Sequence, residues 1–359
     1  MRTLILIFIL FVGIFVLAYG DAASWWQIQK SGTDANLRGV NVRRTGKDNY
    51  VAWVSGTRGA IRRSLDRGKS WKEIRVDGAD DLDFRDIEAF GEDTAYLMSS
   101  GDGEKSRIYK TSDGGKSWRL QYSDKRAGFF LDSLACGSKD HCFALSDPVD
   151  GKFLVLVTGD GEHWSELPGG RMPVALATES AFAASGTSIA LCDSNILFGT
   201  GGPAARVFRS ADCGGSWTAV ETPLAHGNSS SGIFSIACSG RSVVAVGGDY
   251  KDPSGAGRVA IYSTDLGESW HLAAGQTGGY RSGAAFFSGT EVVAVGTNGS
   301  DVSHDGGVHW THLGSSLNLN AVSFSAGDGW AVGPKGAIAR FVHRTSIDTS
   351  SPSRLPTAR

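Results

Sequence analysis

One short pattern recurs six times along this chain of 359 residues. It has the form Ser/Thr-x-Asp-x-Gly-x-x-Trp, and its copies are SLDRGKSW (Ser64–Trp71), TSDGGKSW (Thr111–Trp118), SADCGGSW (Ser210–Trp217), STDLGESW (Ser263–Trp270), SHDGGVHW (Ser303–Trp310) and the shorter TGDGEHW (Thr158–Trp164). The Asp carboxylate can accept hydrogen bonds from backbone N–H groups of its own turn, and the Gly supplies the positive φ that the turn needs. The Trp begins the next strand and offers a large apolar surface for burial. The pattern therefore indicates one turn repeated between strands.

We predict a structural role for this repeated turn, because aspartate is a common turn-forming residue between strands. The prediction covers its aspartates and tryptophans, which are Asp66, Asp113, Asp160, Asp212, Asp265, Asp305, Trp71, Trp118, Trp164, Trp217, Trp270 and Trp310. Functional residues are therefore expected elsewhere on the scaffold.

The spacing of the repeated turn predicts the fold. Its tryptophans are 40 to 53 residues apart, and a repeat of this length made of short strands is typical of a β-propeller with one four-stranded blade per repeat. Seven inner strands are predicted, near Leu37–Val42, Asp86–Phe90, Ser133–Cys136, Ala181–Ala184, Ile233–Cys238, Ala284–Phe287 and Ala321–Phe324.

The seventh repeat ends at Phe341 without a copy of the turn and without an outer strand. Ser24–Ser31, which precedes the first inner strand, is expected to supply the missing strand. A strand from the N-terminus that completes the last blade closes the ring and hides its edges. The sequence therefore predicts an all-β fold, a seven-bladed propeller closed by an N-terminal strand.

The two ends of the chain differ in composition from the middle. Residues 1–20 combine an early Arg with a long apolar run and small residues, which predicts a signal peptide, with an uncleaved N-terminal anchor as the alternative. Residues 21–343 are assigned to the propeller, and the polar residues 344–359 are predicted to be a disordered tail. We therefore expect a secreted or periplasmic protein, without a membrane span once the signal is removed.

Five cysteines fit an oxidising compartment. Cys136 and Cys142 flank a segment that reads as a tight turn between two strands, so a disulfide within this hairpin is predicted. One of Cys192, Cys213 and Cys238 must then be unpaired within a monomer. Their spacings lack any zinc pattern and no His lies near them, so no metal site is predicted.

The formal net charge of −2 argues against a nucleic-acid partner, because phosphate contacts need a basic surface. The glycine-rich stretch Gly199–Gly202 is not followed by a helix, which excludes a phosphate-binding loop there, and no cofactor is predicted. We expect a monomer whose partner is a protein or a carboxylate or glycan ligand.

Because successive strands of a blade alternate in direction, the repeated turns lie on one face of the propeller and the blade-to-blade crossings on the other. The crossing loops are longer and more varied, as is typical of binding loops. The predicted ligand-binding residues on that face are Arg38, Arg85, Arg281, Tyr280, Tyr250, Arg126, Arg171 and Arg206. A ring of guanidinium groups suits an anionic ligand, such as a carboxylate or an acidic peptide. The alternative is that each Arg is solvated or pairs locally with Asp83, Asp86, Asp132 or Glu179.

The repeated turn is that of the Asp-box, or BNR, repeat. With six copies of it and the segment GWAVGPKGAIAR, the chain resembles the photosystem II stability/assembly factor-like propellers over roughly Trp25 to Phe341. The resemblance implies a seven-bladed propeller. In the photosynthetic members it also implies a non-catalytic, chaperone-like role in which an Arg-rich face holds a subunit of a membrane protein.

A rival hypothesis is a glycoside hydrolase, because Asp boxes also occur in sialidases and in some β-glucan-cleaving propellers. Resemblance to sialidases would imply three Arg on the substrate carboxylate, a Tyr nucleophile with a Glu partner, and an acidic residue. The chain offers these residue types as Arg38, Arg85 and Arg281, with Tyr280 or Tyr250, Glu179 and Asp132. The Arg-Ile-Pro signature expected near the start of a sialidase is absent, which argues against this hypothesis.

Overall fold

The computed structural model describes residues 25–168, 171–314 and 316–342, which form seven antiparallel sheets arranged as the blades of a propeller. The first three blades are β2–β5 (Leu37–Arg44, Tyr50–Gly56, Ile61–Ser64, Lys72–Ile74), β6–β9 (Phe84–Ala89, Ala95–Ser99, Arg107–Thr111, Arg119–Ser123) and β10–β13 (Leu131–Ser138, His141–Val149, Lys152–Thr158, Ser165–Glu166). The described residues include a 3₁₀ turn at Gly103–Lys105.

The fourth blade contains β14 (Ile189–Cys192), β15 (Asn195–Gly199), β17 (Arg206–Ser210) and β18 (Thr218–Glu221). The fifth and sixth blades are β19–β22 (Asn228–Ser239, Ser242–Asp249, Ala260–Ser263, His271–Leu272), with the short β16 (Gly201–Gly202) beside β19, and β23–β26 (Gly283–Phe286, Val292–Gly296, Gly299–Ser303, Thr311–His312). The seventh blade is β27–β29 (Ala321–Ser325, Asp328–Val332, Ile338–Phe341) with β1 (Trp26–Gln29) as its outer strand. The predicted all-β, seven-bladed fold is confirmed.

The middle strands of the blades are apolar on both of their faces, because each blade packs between two others. All residues of β3, YVAWVSG, are buried, and so are all residues of β24, VVAVG. Trp53 of β3 is fully buried in a cluster that it shares with Ile87 and Leu97 of the second blade. Burial on both sides explains why these strands lack a strict alternation of apolar and polar residues.

The repeated turns connect the third strand of a blade to the fourth. In the first copy, Ser64 Oγ accepts a hydrogen bond from the N–H of Gly68 at 2.8 Å, while Asp66 Oδ1 accepts one from the N–H of Ser70 at 2.9 Å. The Ser70 hydroxyl donates to the other oxygen of Asp66 at 2.6 Å. Equivalent bonds around Asp113 lower the pKa of that carboxyl to about 2. The carboxylates therefore bond within their own turns, on the surface opposite the crossing loops.

The ring is closed by the chain's N-terminal strand. β1 pairs antiparallel with β29, with Trp26 opposite Phe341. Gln29 then connects the last blade to the first: its Oε1 accepts a hydrogen bond from the Trp330 indole at 2.9 Å, and its Nε2 donates to the carbonyl of Arg67 at 3.1 Å. Closure by an N-terminal strand is therefore confirmed, and it includes a polar contact across the closing junction.

Side chains near the axis tie each inner strand to a neighbouring blade. Asp86 Oδ2 accepts a hydrogen bond from the N–H of Leu134 at 2.7 Å, and the Ser235 hydroxyl oxygen accepts one from the N–H of Ala284 at 3.0 Å. These bonds satisfy inner-strand donors that have no strand partner toward the axis. The first residues of the inner strands are thereby held in fixed positions around the axis.

One predicted inner strand is wrong. The inner strand of the fourth blade is β14, and Ala181–Ala184 lies instead in the crossing loop before it. A tight turn at Asp193, which has φ 53°, joins β14 directly to β15. Because β14 pairs with β15 directly across this turn, β14 is the inner strand of the blade. The alanine-rich segment that precedes β14 therefore belongs to the crossing loop.

Two disulfides lie in the propeller. Cys136–Cys142 joins β10 to β11 within one hairpin, which is the pairing that the sequence predicts. Cys192–Cys238 joins the inner strands of the fourth and fifth blades, 46 residues apart. Cys213 is free and exposed. The second disulfide therefore fixes two blades to each other near the axis, and it identifies which cysteine is left over.

Loss of the Cys192–Cys238 disulfide is expected to destabilise the propeller more than loss of the hairpin disulfide. In the chain-entropy model, closing the longer loop is worth about 4 kcal/mol and closing the shorter one about 2 kcal/mol. Urea denaturation of Cys192→Ser/Cys238→Ser and of Cys136→Ser/Cys142→Ser would measure the difference, with Cys213→Ser in every protein to prevent thiol exchange. An equal or smaller loss for the pair between blades would contradict this expectation.

The predicted signal segment, residues 1–20, and the predicted tail, residues 344–359, lie outside the described residues, so those assignments remain predictions. Within the described residues, no helix has the length and apolar character needed to cross a membrane.

Candidate ligand-binding cavity

A cavity of about 550 Å³ lies where the propeller axis meets the face of the crossing loops. Its lining includes Arg38, Arg85 and Asp132, each at the second residue of the inner strand of its blade. Residues that follow second strands, such as Tyr250, and residues of the crossing loops complete it. The repeated turns follow third strands and therefore lie at the other end of the molecule. This position is typical of ligand sites in closed β-folds, and the volume lies in the range of ligand pockets.

Two guanidinium groups on one side of the cavity share a single carboxylate. Arg85 Nε donates to Asp83 at 2.8 Å, and its Nη1 donates to the carbonyl of Ala183 at 3.1 Å. Arg38 Nε lies 3.7 Å from the same Asp83 oxygen, too far for a hydrogen bond, and the Arg38 guanidinium has no hydrogen-bond partner in the described part of the chain. Burial and the neighbouring Arg85 both lower the pKa of Arg38. The result is a local excess of positive charge with free N–H donors.

Two carboxyl groups line the same cavity. Asp132 is only 1% exposed, and its Oδ2 has no hydrogen-bond partner among the described residues. Asp147 is better exposed, and its Oδ1 accepts a hydrogen bond from the N–H of Ala181 at 2.9 Å. Burial, reinforced by the charge of Asp147, raises the pKa of Asp132 well above its usual range, although Arg85 acts in the opposite direction. Burial raises the pKa of Asp147 to about 6.

Burial opposes ionisation of both carboxyl groups, and it does so strongly for Asp132. With a pKa of about 6, Asp147 is mostly ionised at neutral pH. On the other side of the cavity, Arg38 and Arg85 both lie beside Asp83, so two guanidinium groups face one carboxylate. The cavity therefore offers cationic donors and an anionic acceptor at separate positions.

Aromatic side chains form a further part of the lining. Phe182 stacks on Phe234, with ring centroids 3.8 Å apart. Tyr280 meets Phe234 edge-on at 4.8 Å, and Tyr250 does so at 6.2 Å. Burial raises the pKa of Tyr280, so its phenol stays protonated. These rings provide an apolar surface that can cover the apolar part of a ligand.

The structure places four of the predicted ligand-binding residues together, namely Arg38, Arg85, Tyr250 and Tyr280. Arg281 does not line the cavity: it is fully buried and forms an ion pair with Asp301. This burial corrects the expectation that Arg281 faces a ligand, although Arg281 lies just before an inner strand, two residues ahead of Gly283. Its position is explained by Asp301, which lies on β25 of the same blade.

Three other predicted arginines also lie outside the cavity. Arg206 binds Glu179 through its Nε at 2.8 Å, and that Glu is itself buried. Arg126 pairs with Asp124 and Glu166 near the outer edge of its blade. Arg171 is exposed in a crossing loop. Arg206 and Arg126 therefore pair with acidic residues close to them, as the alternative to ligand binding expects.

The residue set considered for a sialidase is only partly assembled. Arg38, Arg85, Asp132 and the two tyrosines line the cavity, but Arg281 and Glu179 are engaged elsewhere. The protonated state of Tyr280 also disfavours it as a nucleophile.

Sequence reasoning missed Phe182, Phe234 and Asp147 as members of the site. Phe182 was missed because Ala181–Ala184 is predicted to be an inner strand. An aromatic residue in a long crossing loop would otherwise have indicated a binding residue. Asp147 lies near the end of β11, the second strand of its blade, and this position places it on the crossing face. Among the described residues, no group of His, Cys, Asp or Glu side chains is arranged to hold a metal ion.

The free energy of unfolding is expected to fall as the pH rises from about 4 to 7, in part because Asp147 must ionise in a buried setting. A carboxyl whose pKa is raised on folding stabilises the folded state below its unfolded pKa of about 3.9, and this contribution is lost as the pH passes about 6. Asp147→Asn should flatten the profile, with Glu88, whose pKa is raised to about 7, causing part of the remaining slope. Urea denaturation at pH 4.5 and 7.5 would test this; an unchanged slope in the variant would contradict it.

No protein-family model and no curated protein matches this chain. Its solved structural neighbours include YCF48 bound to D1 peptide (TM-score 0.63, 15% identity, covering 90% of this chain and 98% of the other) and YCF48 from Cyanidioschyzon merolae (TM-score 0.63, 16% identity, covering 89% and 99%). Both support the seven-bladed propeller. Identities this low bear on the fold alone.

Two enzymes share the fold. Virginiamycin B lyase from Staphylococcus aureus has a TM-score of 0.61 at 11% identity, with 88% of this chain and 98% of the other covered. An ancestral GH74 enzyme has a TM-score of 0.58 at 13% identity, but only 46% of its length is covered, against 89% of this chain. Because binding proteins and enzymes use the same scaffold, function must be argued from the cavity.

Proposed function

We propose that this protein is an exported, non-catalytic binding module that holds a protein or other carboxylate-bearing partner in the cavity on its crossing face. One observation carries the proposal: Arg38 and Arg85 line an aromatic-walled cavity of about 550 Å³, and Arg38 has no hydrogen-bond partner among the described residues. Arginine donors in a partly desolvated cavity are suited to bind carboxylates, often through two parallel hydrogen bonds.

Rigid presentation is the basis of the proposed mechanism. The closed ring and the hydrogen bonds between inner strands fix Arg38 and Arg85, so little ordering is needed when a ligand binds. Arg85 is further held by Asp83 and by the Ala183 carbonyl. Each hydrogen bond from a guanidinium to a ligand carboxylate contributes about 1.5–3 kcal/mol, because one or both partners are charged. The aromatic wall adds affinity by covering the apolar part of the partner.

Separate observations support the proposed partner and the proposed compartment. YCF48 has been solved with a D1 peptide, which makes a peptide segment a reasonable partner for a propeller of this kind. We also infer that the six repeated turns are Asp boxes and that the chain shares the role of an assembly factor. Two disulfides fit an oxidising compartment, which agrees with the export signal expected in residues 1–20.

The proposal is tested by measuring the binding of short synthetic peptides that carry Glu or Asp, each beside its Gln or Asn counterpart. Acidic peptides are expected to bind more tightly to the wild-type protein. Arg38→Gln/Arg85→Gln is expected to weaken their binding at least about tenfold, since two charge-assisted contacts are lost. The control is Arg58→Gln, an exposed residue outside the cavity on the same face. Equal binding of acidic and neutral peptides, or unchanged binding in the double variant, would refute the proposal.

A glycoside hydrolase is the second candidate, because two carboxyl groups, Asp132 and Asp147, line one cavity and burial raises the pKa of both. The test is turnover of fluorogenic sialosides and β-glucans by the wild-type protein and by Asp132→Asn. Turnover that is lost in the variant would establish a hydrolase. Absence of turnover, together with binding of acidic peptides, would leave the binding module as the function.

A further inference from the structure

The same cavity contains a feature that an anion-binding site does not need. Asp132 is almost fully buried at the cavity wall, yet its Oδ2 has no hydrogen-bond partner in the parts of the chain that the structure describes. A buried carboxyl oxygen without a partner costs free energy in the empty protein, and a ligand donor can remove that cost. The cavity therefore needs a hydrogen-bond donor from a ligand, and it also offers free donors of its own.

Asp147 reinforces this need. Its Oδ1 is already occupied by the N–H of Ala181, but no hydrogen bond to its Oδ2 is seen within the described ranges. The two carboxyls are close enough for the charge of Asp147 to disfavour ionisation of Asp132. A cation placed beside both would relieve this repulsion and would satisfy both free oxygens, because opposite charge favours the ionised form. An ammonium group has three donors and is suited to do so.

The carboxyl pair and the guanidinium pair remain separate. Arg85 acts on Asp132 through its charge, but the two side chains form no ion pair within 4.0 Å. Asp83, not Asp132, is the partner of Arg85. An arginine and an aspartate that face one cavity without pairing leave space for a ligand that carries the complementary charges.

We propose that this cavity is selective for zwitterions: ligands whose carboxylate binds Arg38 and Arg85, whose neighbouring ammonium group binds Asp147 and Asp132, and whose apolar side chain lies against Phe182 and Phe234. An amino acid with a large apolar side chain has this chemistry, and its size suits a cavity of about 550 Å³. The inference rests on the proposed function, namely that this cavity is the ligand site. It adds a second point of recognition to the arginine pair.

Three related compounds with the same aromatic side chain test the two points of recognition separately. L-Phenylalanine carries both charges, 3-phenylpropanoate carries only the carboxylate, and 2-phenylethylamine carries only the ammonium. Calorimetric titration of the wild-type protein at pH 7.5 is expected to give an affinity for phenylalanine at least about tenfold higher than for either analogue, which is the effect of one charge-assisted hydrogen bond.

Variants assign the preference to residues. Asp147→Asn keeps an oxygen for the Ala181 N–H but removes the charge, so phenylalanine should lose its advantage over 3-phenylpropanoate. Asp150→Asn, an exposed change in the turn that follows β11, should leave the preference unchanged. Thermal unfolding of both variants checks that they are folded.

The possible failures are distinguishable from those of the proposed function. If phenylalanine does not bind, binds no better than 3-phenylpropanoate, or keeps its advantage in Asp147→Asn, the zwitterion proposal is overturned. In each case, binding of acidic peptides that depends on Arg38 and Arg85 would leave the proposed function standing. If acidic peptides also bind independently of these arginines, both proposals are wrong.

Discussion

Replacing Arg281 by alanine is expected to lower the free energy of unfolding by about 3–5 kcal/mol, because it leaves the carboxylate of Asp301 buried without its partner. Both residues of the pair are at most 1% exposed. Arg281 also donates to the carbonyl of Tyr280 at 2.7 Å and to Asn298. Its loss therefore leaves several buried acceptors unsatisfied in the crossing between the fifth and sixth blades.

Two further variants test whether the effect is specific to the buried ion pair. Arg75→Ala removes an exposed guanidinium from an ion pair with Glu73, and its effect should stay below about 1 kcal/mol. Arg281→Met combined with Asp301→Leu replaces the buried pair by apolar groups and should restore part of the lost stability, because no buried charge is left unpaired, although the Tyr280 carbonyl and Asn298 still lack their donor. Urea denaturation of all three proteins beside the wild type measures these differences. A loss for Arg281→Ala that matches that of Arg75→Ala would show that the buried pair does not stabilise the propeller.

The destabilisation has a consequence for binding studies. Arg281 lies just before its inner strand, and Arg85 lies near the start of β6. On sequence position alone, both arginines would be chosen for mutation in a binding experiment. A loss of ligand binding in Arg281→Ala would, however, be expected from partial unfolding. Arg38 and Arg85 are the informative arginines, because their side chains line the cavity and remain partly exposed beside Asp83, whereas Arg281 is fully buried.

The fold could be predicted because its determinants are local in sequence. Each copy of the repeated turn marks the end of a third strand and the start of a fourth, and one copy occurs in each of the first six blades. The N-terminal strand was predictable as well, because the seventh repeat lacks an outer strand. The fourth blade was the exception: its tight turn at Asp193 has no glycine, and Ala181–Ala184 was therefore mistaken for the inner strand.

The site was harder to predict because its determinants are distant in sequence. Whether an arginine at the start of an inner strand faces the axis or its own blade depends on an acidic residue on another strand, as Asp301 shows for Arg281. The unpartnered Oδ2 of Asp132 is likewise a result of packing and has no sequence signature. The sequence could place the candidate site on the crossing face and supply four of its residues. Which charged side chains pair with each other depends on packing between distant residues, so it could not be predicted.

The outer strand of the last blade gives the second large expected effect. Trp26 of β1 is buried against Phe341 and Val295, and its indole donates to the Ser300 hydroxyl of the sixth blade at 2.8 Å. Trp26→Ala should lower the free energy of unfolding by about 3–5 kcal/mol, as expected when a buried aromatic side chain is removed. Ile28→Ala is the matched control, because Ile28 lies in the same strand but is 59% exposed.

Deleting residues 25–31 should be more damaging than Trp26→Ala, because it removes the whole closing strand. β29 would then present an unpaired edge, and the contact of Gln29 with Trp330 and Arg67 would be lost. An exposed edge strand promotes pairing between molecules, so the truncated protein should unfold at a lower temperature and form oligomers in size-exclusion chromatography. The decisive comparison is between the truncated protein and Ile28→Ala, measured by thermal unfolding and by chromatography. If both behave like the wild type, the ring does not depend on its N-terminal strand, and the remaining three strands of the seventh blade are sufficient to hold it closed.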